Sequence, residues 1–148
     1  MIKIDFKNFS ISNSLPFVLI AGPCVLENER KTLFIAEEIN KICKELNINY
    51  IFKSSFDKAN RSSIKSERGI SLKNGLKIFE KIKNEFDCPI ITDIHTEEQC
   101  TILANNNIID ILQIPAFLSR QTDLLLSAGK TNKIVNVKKG QFLAPSDV

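Results

Sequence analysis

The sequence has few of the residues that mark specialised protein classes. It contains no tryptophan, and its four cysteines are far apart without a C-x-x-C pair, which excludes a disulfide scaffold and a zinc ribbon. No apolar run approaches the roughly 20 residues that span a bilayer, and the charged N-terminus is unlike a secretory signal. We therefore expect a cytoplasmic protein with reduced cysteines that does not associate with membranes.

The charge balance excludes a further class. A net charge of +3 on 148 residues is small, and the basic residues are scattered along the chain, so nucleic-acid binding is not predicted. With 43% hydrophobic and 25% charged residues, the composition is typical of a globular domain, which most often has ~100–150 residues.

Five short runs rich in Ile, Val and Phe alternate with segments of helical periodicity. Because the runs are nearly continuous, they predict strands buried on both faces, as in a parallel sheet. The predicted strands are 17–21, 50–53, 90–94, 108–114 and 134–137. The predicted helices are 29–46, 72–86, one opened by a capping box at 96–99, and 122–127 with its end near Gly129.

The spacing of these runs predicts the fold class. The predicted strands repeat about every 29 residues, so eight βα units would need roughly 240, close to the ~250 of a (β/α)₈ barrel. We therefore predict an α/β fold of the TIM-barrel family with about five βα units, a truncated barrel. Residues 1–16 would form an N-terminal arm or short hairpin, and residues 17–148 the first five strands. A complete five-stranded doubly wound domain is the alternative.

Polar residues follow each predicted strand. Since the carboxyl ends of parallel strands meet at one edge of a sheet, we expect Lys53, Lys58, Arg61 and Lys138 to converge there. Several cations around one pocket repel one another unless anions occupy it, which predicts phosphorylated or carboxylated substrates. The alternative is that each lysine is a solvated loop charge.

Several of these strand-end segments match a known family. The most specific is the twelve-residue block Phe52-Lys-Ser-Ser-Phe-Asp-Lys-Ala-Asn-Arg-Ser-Ser63; the others are 21–27, 92–95, 113–118, 120–124 and 136–145. On these segments the chain resembles the N-terminal portion of the metal-dependent 3-deoxy-D-manno-octulosonate 8-phosphate (KDO 8-phosphate) synthases. The related phosphoenolpyruvate-dependent first enzyme of aromatic biosynthesis lacks the twelve-residue block.

The resemblance implies a (β/α)₈ barrel and a transferase of lipopolysaccharide (KDO) biosynthesis. Carbon 3 of phosphoenolpyruvate attacks the aldehyde of D-arabinose 5-phosphate, water adds at carbon 2, and phosphate leaves. The family also implies a homo-oligomer, a tetramer. The alternative is an inactive truncated remnant or an interaction fragment, and whether residues 1–148 are active alone is left open.

The resemblance also implies roles for individual residues. These are phosphoenolpyruvate binding by Lys53, Lys58 and Lys138; arabinose 5-phosphate binding by Asn60, Arg61 and Ser62; pocket lining by Asp93 and Gln113; and contact with a neighbouring subunit by Arg120. His95, the one histidine, is a pocket or loop residue without an assigned catalytic step.

Cys24 has two interpretations. A cysteine after a strand is most often a small buried hydrophobe. Within Gly22-Pro23-Cys24, however, it resembles the metal-binding cysteine of the family, where the metal-independent branch has asparagine. A thiolate suits a divalent ion of the Zn or Fe type. The family's other ligands lie on later strands, so whether residues 1–148 bind the metal alone is left open.

Overall fold

The structure is a computed structural model that describes residues 2–148. Strands and helices alternate along the chain after a short N-terminal strand pair. The strands are β1 (Ile4–Asp5), β2 (Ser10–Ile11), β3 (Val18–Ala21), β4 (Asn49–Lys53), β5 (Ile90–Asp93), β6 (Ile111–Ile114) and β7 (Ile134–Val137). The helices are α1 (Glu29–Glu45), α2 (Leu72–Phe86), α3 (Glu97–Ala104) and α4 (Thr122–Gly129), with short 3₁₀ turns at Ala116–Leu118 and Pro145–Asp147.

The strands β3 to β7 form one parallel sheet in sequential order. A doubly wound sheet reverses its strand order at a switch point, whereas a (β/α)₈ barrel adds each strand beside the last. The predicted fold class, a partial barrel of the TIM-barrel family, is therefore confirmed, and the doubly wound alternative is wrong.

Burial on both faces is confirmed for the central strands and wrong for the outer ones. All residues of β5 and β6 are buried. In contrast, Ile20 on β3 is 45% exposed and Val137 on β7 is 38% exposed. Each of these two strands has a hydrogen-bonded neighbour on one side only among residues 2–148.

The predicted fourth strand of the parallel sheet begins later than expected. Residues 108–110 are not in β6, because the Asn106 side chain accepts hydrogen bonds from the backbone N–H groups of Ile108 (2.8 Å) and Ile109 (3.3 Å). Such an Asx turn competes with strand pairing. The Ile-rich pattern did not predict this turn, because Ile108 and Ile109 are as apolar as the residues of the strand that follows.

Side-chain caps fix where the helices begin. Asn28, Ser71 and Thr96 accept hydrogen bonds from the backbone N–H three residues later, starting α1, α2 and α3. The predicted capping box is half confirmed. The side-chain oxygen of Gln99 accepts a hydrogen bond from the backbone N–H of His95 at 2.8 Å, and not from that of Thr96. No helix among residues 2–148 is both long and apolar enough to cross a membrane.

One face of the sheet carries two layers of side chains. Toward the amino end, Ile51, Ile91 and Ile111 form an apolar layer. The antiparallel pair β1–β2 covers this layer with apolar side chains: Phe6, Phe9 and Ile11. These residues belong to the predicted 1–16 segment, of which Met1 lies outside the described residues.

The second layer lies two residues further along each strand, on the same face. Its members are polar: Lys53, Asp93, Gln113 and Asn136. The opposite face packs against the helices in the main apolar core, which includes Phe52 and Phe79. The fold thus separates an apolar, covered amino end from a polar carboxyl end.

Candidate functional site

Three polar residues form a row across the carboxyl ends of β5, β6 and β7. Asp93 is the register partner of Gln113, and Gln113 is the register partner of Asn136. The amide nitrogen of Gln113 donates to Asp93 Oδ1. The amide nitrogen of Asn136 donates to Gln113 Oε1 at 2.9 Å.

Two lysines approach the other oxygen of Asp93 from β4 and the loop after it. The Nζ atoms of Lys53 and Lys58 lie 3.8 and 3.5 Å from Asp93 Oδ2. Their side chains are only 17% and 13% exposed. Charges this far from water require a partner, and the carboxylate supplies it.

Ser55 joins the three charged groups. Its hydroxyl donates to Asp93 Oδ2 and accepts hydrogen bonds from Lys53 at 3.2 Å and Lys58 at 2.8 Å. A hydroxyl has one proton and two lone pairs, so every hydrogen-bonding position of this fully buried side chain is used. Ser55 therefore fixes where both ammonium groups lie.

The pKa values follow from this geometry. Burial raises the pKa of Asp93, but the hydrogen bonds from Ser55 and Gln113 and the charges of Lys53 and Lys58 bring it below its ordinary value. Burial lowers the pKa of Lys53, the neighbouring lysines lower it further, and the Asp93 carboxylate partly opposes them. Asp93 is thus the ionised partner of a partly desolvated lysine pair.

Close packing brings the loop after β3 against the end of β4. A Cβ atom on Gly22 would lie 2.1 Å from the carbonyl oxygen of Lys53, so only glycine fits there. The Ser54 hydroxyl donates to the carbonyl of Pro23 at 2.8 Å, in the same loop. Cys24 follows and is exposed.

The loop between β4 and α2 is held at its base by an ion pair. Arg68 donates from Nε to Asp57 Oδ1 at 2.8 Å and from Nη2 to Oδ2, a bidentate fork. These bonds are the main cause that lowers the pKa of Asp57. Between the two paired residues, Asn60, Arg61 and Ser62 are exposed.

A pocket of about 140 Å³ opens beside the polar row. Its wall includes Lys58, Asn60, Asp93, His95 and Lys138. Among residues 2–148, the buried Nδ1 atom of His95 has no hydrogen-bond partner. Burial is the main cause that lowers the pKa of His95, so its ring is a neutral group of the pocket near neutral pH.

The structure brings together only part of the predicted set of site residues. Lys53 and Lys58 meet at Asp93, and Lys138 and Asn60 line the pocket. Arg61 and Ser62 do not line it, because the loop carries them outward; Arg61 donates instead to the carbonyl of Glu67 at 3.3 Å.

Two further predicted residues do not line the pocket beside the polar row. Arg120 is exposed and lines a separate cavity of about 570 Å³ beside α4 and the C-terminal residues. Cys24 is exposed, so the buried-hydrophobe interpretation does not apply to it. Within residues 2–148, no three His, Cys, Asp or Glu side chains come together as a metal site, so Cys24 offers a single donor.

Sequence reasoning did not single out two residues of this network, Ser55 and Asn136. Each stands two positions after a residue on the same face of the sheet. Ser55 follows Lys53, the last residue of β4, and Asn136 follows the apolar Ile134 of β7. The period of two along a strand was the signal that could have found them.

Comparison with known proteins identifies clear relatives. The model of the DAHP synthetase I family matches residues 1–148. Proteins named 2-dehydro-3-deoxyphosphooctonate aldolase from Rickettsia felis, Rickettsia prowazekii and Rickettsia canadensis are 59%, 58% and 57% identical over 145 residues. These alignments cover 98% of this chain and 52% of each relative, so the chain spans about half the length of the curated relatives it matches.

The ionised state of Asp93 leads to a prediction about acid stability. Because its folded pKa is depressed, its ionisation stabilises the fold above the unfolded pKa, and this contribution is lost as the pH falls toward the folded pKa. We expect Asp93→Asn to cost about 3 kcal/mol at neutral pH, the low end for a buried ion pair, since two partly desolvated lysines lose their partner. The loss of stability on acidification should also be smaller in this variant.

Urea unfolding from about pH 7 down to about pH 2 measures both effects. Glu37→Gln, on the exposed middle of α1, also replaces a carboxylate by an amide but lies outside the network, and should leave the acid dependence as it is. An identical acid dependence in the wild type and Asp93→Asn would contradict the assignment.

Proposed function

We propose that this chain, which belongs to the DAHP synthetase I family, forms the N-terminal part of a KDO 8-phosphate synthase. The reaction is the condensation of phosphoenolpyruvate with D-arabinose 5-phosphate and water to give 3-deoxy-D-manno-octulosonate 8-phosphate and phosphate. The name of the rickettsial relatives, 2-dehydro-3-deoxyphosphooctonate aldolase, supports this choice.

The charge surplus at the carboxyl end of the sheet is the observation that carries the proposal. Lys53 and Lys58 pair there with a single carboxylate, Asp93, and Lys138 lines the same pocket, so these four groups have a formal surplus of two positive charges. Both substrates are anions, and an anion that enters the pocket relieves the repulsion among the lysines.

In the proposed arrangement the three lysines bind phosphoenolpyruvate. Carbon 3 of phosphoenolpyruvate attacks the sugar aldehyde, so negative charge develops on the aldehyde oxygen while phosphate later leaves from carbon 2. Cations fixed in a partly desolvated pocket stabilise such charge without having to reorganise. The network through Ser55 and Asp93 supports this role, because it holds Lys53 and Lys58 in place before any substrate arrives.

The sugar phosphate is assigned to the loop after β4. Asn60 stands at the pocket wall, and the exposed Arg61 and Ser62 follow it. The guanidinium of Arg61 makes one bond, to a backbone carbonyl, and can exchange it for the bidentate pairing that phosphate favours. Asp93 and Gln113 complete the pocket between the two anion positions.

The remaining assignments concern the assembled protein. We assign Arg120, exposed beside α4, to the contact with a neighbouring subunit in a cytoplasmic homo-oligomer that serves lipopolysaccharide synthesis. Cys24 is assigned as one ligand of a divalent metal of the Zn or Fe type. Its exposed thiol supports this role, and the residues that would complete the ligand set are not among residues 2–148. When bound, such an ion would act as a Lewis acid.

The separation of the two anions can be tested by kinetics. The protein to use is this chain continued by the matching second half of the Rickettsia felis relative. Arg61→Ala should mainly raise the KM for arabinose 5-phosphate, while Lys138→Ala should mainly affect phosphoenolpyruvate or turnover. Loss of one charge-assisted contact costs about 1.5–3 kcal/mol, roughly a ten- to hundredfold fall in kcat/KM.

Steady-state rates with each substrate varied in turn give the two KM values. Lys65→Ala, on the exposed part of the same loop, is the matched control and should behave as the wild type. Equal effects of Arg61→Ala and Lys138→Ala on both substrates would refute the assignment of separate anion positions.

The metal assignment has its own test. In the same continued protein, Cys24→Asn should lower the zinc and iron content, because an amide is a weaker ligand for these ions than a thiolate. Elemental analysis of the purified protein measures this without reference to activity. The Arg61→Ala protein serves as the control and should keep its metal; unchanged metal content in Cys24→Asn would exclude Cys24 as a ligand.

A further inference from the structure

The polar row across β5, β6 and β7 has a direction that its chemistry imposes. A carboxylate only accepts hydrogen bonds, so Gln113 has to turn its NH₂ group toward Asp93. Its carbonyl oxygen then faces β7 and requires a donor. Asn136 provides one, with its amide nitrogen 2.9 Å from Gln113 Oε1.

Asp93 depends on this direction for its own orientation. One oxygen accepts from Ser55 and lies near the two lysines, and the other accepts from Gln113. If the Gln113 amide turned over, its oxygen would face the carboxylate and repel it. The Asn136 amide makes that turned orientation unfavourable, because it would then place two NH₂ groups against each other.

We propose that Asn136 is a positioning residue of the anion site, which acts through Gln113 to hold Asp93 between Lys53 and Lys58. Asn136 lies on the outermost strand of the sheet, yet the chain of bonds carries its effect across two strand boundaries. The inference rests on the proposed function only for the identity of the anion; the bond chain itself can be tested without any substrate.

A titration of the wild-type chain tests the bond chain directly. The carboxyl carbon of Asp93 and the side-chain amides of Gln113 and Asn136 are followed by NMR as the pH is lowered. Protonation of Asp93 should move both amide signals with the same midpoint, although Asn136 does not touch Asp93. An Asn136 amide that does not respond at this midpoint would overturn the proposal.

The other charged groups around Asp93 can be separated in the same titration. Lys53 and Lys58 face it from β4 and the following loop, His95 lies two residues beyond the end of β5, and Lys138 lines the same pocket. His95 is followed by its ring signals, so its midpoint can be recognised and set apart.

Substitutions supply the second arm of the test. Asn136→Ala should move the Asp93 midpoint upward, because Gln113 then donates to the carboxylate for only part of the time. Val137→Ala trims the next residue of the same strand, whose side chain points to the opposite face, and should leave the midpoint unchanged. An unchanged midpoint in Asn136→Ala, or an equal shift in Val137→Ala, would contradict the proposal. If Asn136→Ala does not fold, the wild-type titration decides.

Discussion

The carboxyl end of this sheet depends on one partly desolvated carboxylate. Asp93 is the anion with which both Lys53 and Lys58 pair, and these two ammonium groups also share the hydroxyl of Ser55. Removing charges from water is costly, so two lysines can stay this close only while an anion compensates them. The carboxylate of Asp93 neutralises the charge of one lysine, and a substrate anion can neutralise the charge of the other.

One face of the sheet has different side chains at its two ends, and this difference places the charged groups together at the carboxyl end. At the amino end the face is apolar and covered by the β1–β2 pair; two residues further along each strand it is polar. A strand period of two places both layers on the same side. Lys53 and Asp93 therefore stand on strands, whereas the loop after β4 carries Lys58 and the exposed residues Asn60, Arg61 and Ser62. Polar groups held on strands beside an exposed loop agree with the proposed binding of two anions.

The sequence predicts what depends on local pattern. Ile-rich runs, helical periodicity and the capping residue Thr96 placed the elements, and the rule that parallel strands end at one edge placed Lys53 beside Lys58. Contacts between strands were not predictable, because register and side-chain rotamers arise only from tertiary packing. The link from Asn136 through Gln113 is of this kind, and so is the outward direction of Arg61.

The central claim is that Lys53 and Lys58, the partly desolvated lysines beside Asp93, form a site for phosphoenolpyruvate. Calorimetric titration of the 148-residue chain with phosphoenolpyruvate tests it most directly. The comparison is a double variant, Lys53→Met with Lys58→Met, and its matched control is Lys73→Met with Lys77→Met on the exposed side of α2. The account predicts binding by the wild type and the control and none by the Lys53 and Lys58 variant; equal binding by all three proteins, or by none, would contradict it.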